Sequence, residues 1–128
     1  MPESTDPSFP LQDAIGFTIN SADGHSTAAV DLNAFHMNPN GAAHGAIPFT
    51  LMDTAMGSAV MSTIDDSRRC ATIEMQTRFH RPALAGTLTA TARVVTAGKR
   101  VIHLAAETRD EQDRIVASAT ASFAVFEA

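Results

Sequence analysis

The sequence has no tryptophan, no tyrosine and a single cysteine, Cys70. One thiol excludes an intrachain disulfide and a cysteine-built zinc site, and it suits a reducing, cytoplasmic setting. Basic residues are also scarce: nine Lys and Arg against fourteen Asp and Glu leave a net charge of −5. Nucleic acid is therefore not an expected partner, and any anionic ligand needs a local basic cluster. No uncharged apolar run reaches the roughly 18 residues of a membrane span. The opening MPESTDPSFPLQDA lacks the basic and apolar regions of a secretory signal. There is no G-x-S-x-G elbow, no G-x-G-x-x-G turn and no phosphate loop, which disfavours serine-hydrolase, dinucleotide and NTP chemistry. The five histidines show no metal-site spacing, so no metal and no prosthetic group is expected.

What remains is an ordinary globular composition, 45% hydrophobic and 18% charged over 128 residues. That length fits one domain, expected over residues 9–128 behind a loose tail at 1–8. Phe9–Ile15 reads as a short helix. Gly16–Asn20 and Thr27–Leu32 read as strands joined by a turn at Ala22-Asp23-Gly24. Asn38-Pro39-Asn40-Gly41 is a turn. A helix follows from about Ala46 to about Thr63, with Pro48 in its first turn, where a missing N–H is harmless. It is apolar on nearly every face, which predicts burial all round.

Beyond the helix the pattern changes to period two. In Arg69–Arg81, Ala71, Ile73, Met75, Thr77 and Phe79 alternate with Thr72, Glu74, Gln76, Arg78 and His80. Thr87–Ala97, Arg100–Arg109 and Ile115–Phe126 complete the strands, separated by short turns. The expectation is an α+β domain, one long central helix wrapped by an antiparallel β-sheet.

One residue breaks the helix pattern. Between Ala46 and Val60, Asp53 is the only charged side chain. An unpaired buried charge is costly, so this acid is either satisfied from elsewhere or retained for chemistry.

The set Asn38-x-x-Gly41-x-x-His44-Gly45 with Leu51-x-Asp53 resembles the signature of hotdog-fold acyl-CoA thioesterases of the phenylacetate-pathway type. Thr72–Ala83, a strand entering a Pro82-Ala83 turn, and the turns at Gly86 and Gly98-Lys99 are similar too. The resemblance covers about Phe9 to Phe126. It implies Asp53 as catalytic acid or base and the Gly45 N–H as the group that polarises the thioester carbonyl. It matches Asn38 to the asparagine six places before the histidine, and Thr72 to the residue that helps hold the water or the carboxylate. Ala46 stands where that family usually has a second glycine. The resemblance also implies a homodimer, or a dimer of dimers, with acyl-CoA as substrate.

The residues are consistent with that chemistry. Asp53 can act as general base or as nucleophile. The first N–H groups of a helix lack intrahelical partners and carry partial positive charge. Glycine lets a carbonyl oxygen approach closely. Yet Gly45 and Asp53 are eight residues apart, about 12 Å along a helix, whereas reacting groups must meet within about 3 Å. Two chains related by a two-fold axis solve this, one giving the amide and the other the acid. His44 reads mainly as a residue that fixes the turn before the helix. Arg81, Lys99 and Arg100, backed by Arg68 and Arg69, are candidate contacts for CoA phosphates, with Pro82 beside Arg81. Met56, with Met52 and Met61, is a candidate wall of an acyl pocket. Two rival readings stand beside hydrolysis: a hotdog hydratase or dehydratase acting on acyl thioesters, and a non-catalytic acyl-CoA binding module.

Overall fold

The computed structural model describes residues 8–128. The expected tail at 1–8 thus falls, apart from Ser8, outside the described residues. The chain begins with a short helix α1 (Pro10–Ile15), closed by Gly16 in the left-handed region at φ 89°. Strand β1 (Thr18–Ala22) turns through Asp23 and Gly24 into β2 (His25–Asp31). Both turn residues have positive φ, 52° and 80°, the tight hairpin geometry that matches strand twist. A short 3-10 turn at Ala34–His36 precedes the long helix α2 (Ala46–Met61), and four strands follow: β3 (Arg68–Phe79), β4 (Thr87–Ala97), β5 (Val101–Arg109) and β6 (Ile115–Glu127).

All six strands form one antiparallel sheet in the order β1-β2-β4-β5-β6-β3. The sheet curls around α2, the expected hotdog arrangement. Its inner face is rich in alanine: Ala28, Ala90, Ala92, Ala106, Ala117, Ala119 and Ala121 are all buried. Small side chains let the helix approach closely. Leu51, Met52, Met56 and Val60 then fill the space against Leu88, Leu104 and Phe123. Burial of a side chain of this size contributes about 1.5–3 kcal/mol.

Two expectations are corrected. The first is burial of the helix on all sides. Ala46, Phe49, Thr50, Asp53, Thr54, Gly57, Ser58 and Met61 form a stripe left wholly or partly exposed. One sheet covers only the side it faces, and an apolar pattern alone does not show which side lacks cover. The second is the unbroken alternation of β3. Its pairing with β6 shifts register between Thr72 and Glu74. Cross-strand partners share a face. Cys70 and Thr72 lie opposite the buried Val125 and Phe123, and Met75 and Thr77 opposite the buried Ala121 and Ala119. The bulge at Ile73 switches the inward positions from even to odd, so Thr72 faces α2 while Ile73, 55% exposed, does not join the core.

Candidate active site

Asp53 lies midway along the exposed stripe of α2. The bulged strand β3 aims Thr72 at it, and the Thr72 hydroxyl donates to Asp53 Oδ1 at 2.7 Å. The acid is thus satisfied from a residue distant in sequence, and it lines a groove. That groove, about 1020 Å³, is lined by Asp53, Thr54, Gly57, Ser58 and Met61 of α2 and by Arg69 to Thr72 of β3, with Phe9, Ile19, Asp66 and Phe123.

Cys70 shares the groove but is not a nucleophile. Its thiol reaches the Gly57 carbonyl at 3.7 Å. Burial first, and the Asp53 charge second, push its pKa above the ordinary thiol value. It stays protonated near neutral pH.

The second group lies in the turn ahead of α2. Asn38 Oδ1 accepts from the backbone N–H groups of Asn40 and Ala42, at 2.9 and 3.2 Å. The turn closes through Gly41 at φ 78°, where an L side chain is strained. Asn38 is therefore a turn builder, and only its NH₂ group is left for a ligand. His44 Nδ1 accepts from the Ala46 N–H at 2.9 Å, which caps the start of α2 and fits its expected positional role. Since Nδ1 accepts, the proton sits on Nε2.

Gly45 follows with φ −54°, so it is not needed for an unusual backbone angle. A Cβ there would stand 3.2 Å from the ring of Phe79, an exposed side chain that would have to give by a few tenths of an ångström. Among the described residues the Gly45 N–H has no intramolecular acceptor. Gly45 lines a smaller hollow of about 390 Å³, shared with Asn38, Phe79, His80, Arg81 and Pro82.

Asp53 and Gly45 thus line different hollows of one chain. The structure brings Asp53 together with Thr72, and Gly45 together with Asn38, Arg81 and Pro82; it does not bring the two groups together. The basic candidates separate as well. Arg81 donates through Nε to the Ile115 carbonyl at 3.1 Å, beside Gly45. Lys99 and Arg100 share another hollow with Arg68. Arg69 belongs to the Asp53 groove, where its Nη1 is held by the carbonyls of Asp66 and Arg68. Met56 and Met52 are wholly buried in the core, so neither forms a pocket wall; Met61 lines the groove instead. The i+4 and i+8 steps from Asp53 reach Gly57 and Met61 and carried that signal.

Sequence reasoning missed His36. It is 1% exposed. Its Nδ1 accepts from Asn33 N–H at 3.0 Å and its Nε2 donates to the Ile15 carbonyl at 2.7 Å. Its own carbonyl accepts from the His44 N–H at 2.8 Å. His36 therefore ties the end of α1 to the turn that presents Gly45.

Comparison with known proteins agrees with the fold. Residues 40–117 match the model of the thioesterase superfamily. A candidate esterase of Halobacterium salinarum is 37% identical over 99 residues, which are 71% of this chain and 65% of that protein. A conserved protein of Pseudomonas aeruginosa superposes with a TM-score of 0.88 at 29% identity, covering 93% of this chain and 95% of that one. The PaaI protein of the Escherichia coli phenylacetic acid degradation operon gives a TM-score of 0.85 at 28% identity, covering 92% of this chain and 85% of that one.

Proposed function

The chain belongs to the thioesterase superfamily, and from that premise we propose that it hydrolyses acyl-CoA thioesters to the free acid and CoA, in a cytoplasmic setting, as a homodimer or a dimer of dimers. The observation that carries this is the Asp53 carboxylate, fixed through Oδ1 by Thr72 and lining a groove large enough for an acyl group.

In this reading the Gly45 N–H of one protomer faces the Asp53 of its partner. The amide polarises the thioester carbonyl and holds the oxyanion, helped by the positive end of α2. Asp53 takes a proton from water as the water oxygen bonds to the carbonyl carbon, and returns it to the CoA sulfur as the C–S bond breaks, so that CoA leaves as the thiol and the free acid remains. Two features support a second copy. The exposed stripe of α2 carries Phe49, 39% exposed, at a position a partner helix would cover. Strand β3, twelve residues long, forms an edge of the sheet, and an unpaired edge of that length is a liability unless covered. If antiparallel helices set Gly45 opposite Asp53, the two-fold axis passes beside Phe49, the midpoint. In this reading Arg81, beside Gly45, and Lys99 with Arg100, in another hollow, would contact the CoA phosphates.

The test is a hydrolysis screen over a panel of acyl-CoAs with thiol trapping, on wild type and Asp53→Asn. Wild type releases CoA, and the variant, folded by circular dichroism, loses at least 100-fold in kcat. Free thiol released by Asp53→Asn at the wild-type rate would remove Asp53 from the mechanism.

A further inference from the structure

Resting on that hydrolytic reading, we propose that the groove runs from Asp53 toward the C-terminal end of α2, that it takes an uncharged, medium-length apolar acyl chain, and that Phe9 and Met61 form the wall that sets the longest chain accepted.

The direction follows from two contacts between α2 and β3. Thr72 meets Asp53, and Cys70, two residues back along the strand, meets Gly57, four residues on along the helix. Helix and strand thus run alongside each other away from the acid, and Met61 marks the helix end of the same groove. Eight helical residues from Asp53 to Met61 span about 12 Å. Along that path the helix supplies Gly57 and Ser58, too small to block a chain.

The far wall comes from the start of the described chain. Phe9 lines the groove beside Ile19. Its ring packs edge-on against Phe17, with centroids 5.6 Å apart and planes at 84°, and Phe17 is buried. Phe9 is thereby anchored to the core while it faces the groove. Asp66 and the carbonyl-bound Arg69 line the same groove and follow Met61 in the chain, beyond the end of α2. An acyl chain that overran Phe9 and Met61 would press methylenes against these charges, so the wall ends the favourable burial.

Each further buried methylene is worth roughly fourfold in kcat/KM, up to the length that fills the groove. The experiment measures kcat/KM over a series of straight-chain acyl-CoAs for wild type, Phe9→Ala, Met61→Ala and, as a control on α1 outside the groove, Leu11→Ala. Ratios within one variant cancel any loss of folded enzyme. Wild type and Leu11→Ala should rise to the same chain length and then fall. Phe9→Ala and Met61→Ala should move that break to longer chains by one or more methylene pairs. If hydrolysis is seen but the break stays in place in both variants, the wall is wrong and the hydrolytic reading stands. If wild type releases no CoA from any member, the hydrolytic reading fails and this inference fails with it.

Discussion

The Thr72 hydroxyl and the Asp53 carboxylate meet at 2.7 Å because β3 carries one extra residue beside them. Without the bulge at Ile73, a strand that buries Met75 and Thr77 would turn Thr72 outward. The sheet irregularity therefore belongs to the site, as bulges beside active sites often do. A hydrogen bond to a charged group contributes about 1.5–3 kcal/mol. Thr72→Val should lower kcat about 10- to 100-fold, with KM changed little, because the acid loses the contact that orients it. Thr72→Ser, which keeps the hydroxyl, should recover most of the rate. Equal losses in both variants, measured by thiol release, would show that the hydroxyl does not position Asp53.

Much of this was legible in the sequence. The helix start at Ala46 and the bounds of β4 follow from local pattern, and Asp53 stands out as the one charge in an apolar helix. The bulge does not, because Thr72-Ile73-Glu74 alternates without a break and the shift exists only in register with β6. His36 was hidden for a similar reason: its partner Ile15 lies 21 residues away. The bare side of α2 and the burial of Met56 both turn on helix phase, and a segment apolar at nearly every position does not reveal its phase. Asp53 was the one charged reference point, and its ridge through Gly57 to Met61 was the usable clue.

His36 should matter to stability more than to chemistry. Both ring nitrogens are engaged, with Nδ1 accepting and Nε2 donating. His36→Phe fills the same space but leaves the Ile15 carbonyl buried without its donor and the Asn33 amide without its acceptor. The expected cost is about 1–3 kcal/mol, a fall in Tm of roughly 5–10 °C. Thermal unfolding checks this; an unchanged Tm would mean that water replaces both bonds. Well below the midpoint the folded variant should keep near-normal kcat, since Gly45 and Asp53 are untouched.

Acid should weaken the β5–β6 hairpin. Asp110 Oδ1 accepts from the backbone N–H groups of Gln112 and Arg114, each at 3.0 Å, and Oδ2 meets Arg114 Nε at 2.8 Å. The Arg114 backbone bond first, then the Arg114 side chain, hold its pKa below the ordinary carboxylate value. A depressed folded pKa means that the folded state favours the ionised form. The resulting stability is fully present above the unfolded pKa of about 4 and is lost as pH falls through the folded value. Asp110→Asn keeps the acceptor oxygen and removes the charge. Its Tm should lie below wild type at pH 7, and the gap should close as the pH drops below about 4. A gap independent of pH would assign the effect to the side chain's shape rather than its charge.

A site shared between two chains has a consequence that a site within one chain lacks. Gly45 already sits at φ −54°, inside the range of proline, so Gly45→Pro removes the proposed oxyanion donor while keeping the backbone angle that the turn requires. Alone, Gly45→Pro and Asp53→Asn should each abolish hydrolysis, because every site in either homodimer has one defect. Unfolded together and refolded as a mixture, half of the dimers should carry one chain of each kind. In such a dimer one site takes both defects and the other takes neither. Activity should therefore return to about a quarter of wild type per total chain, with the KM of the wild-type enzyme. A site built within one chain gives no recovery at any mixing ratio. That outcome, with mixed dimers verified by mass spectrometry, would overturn the two-chain reading and leave Asp53 and Gly45 to be explained separately.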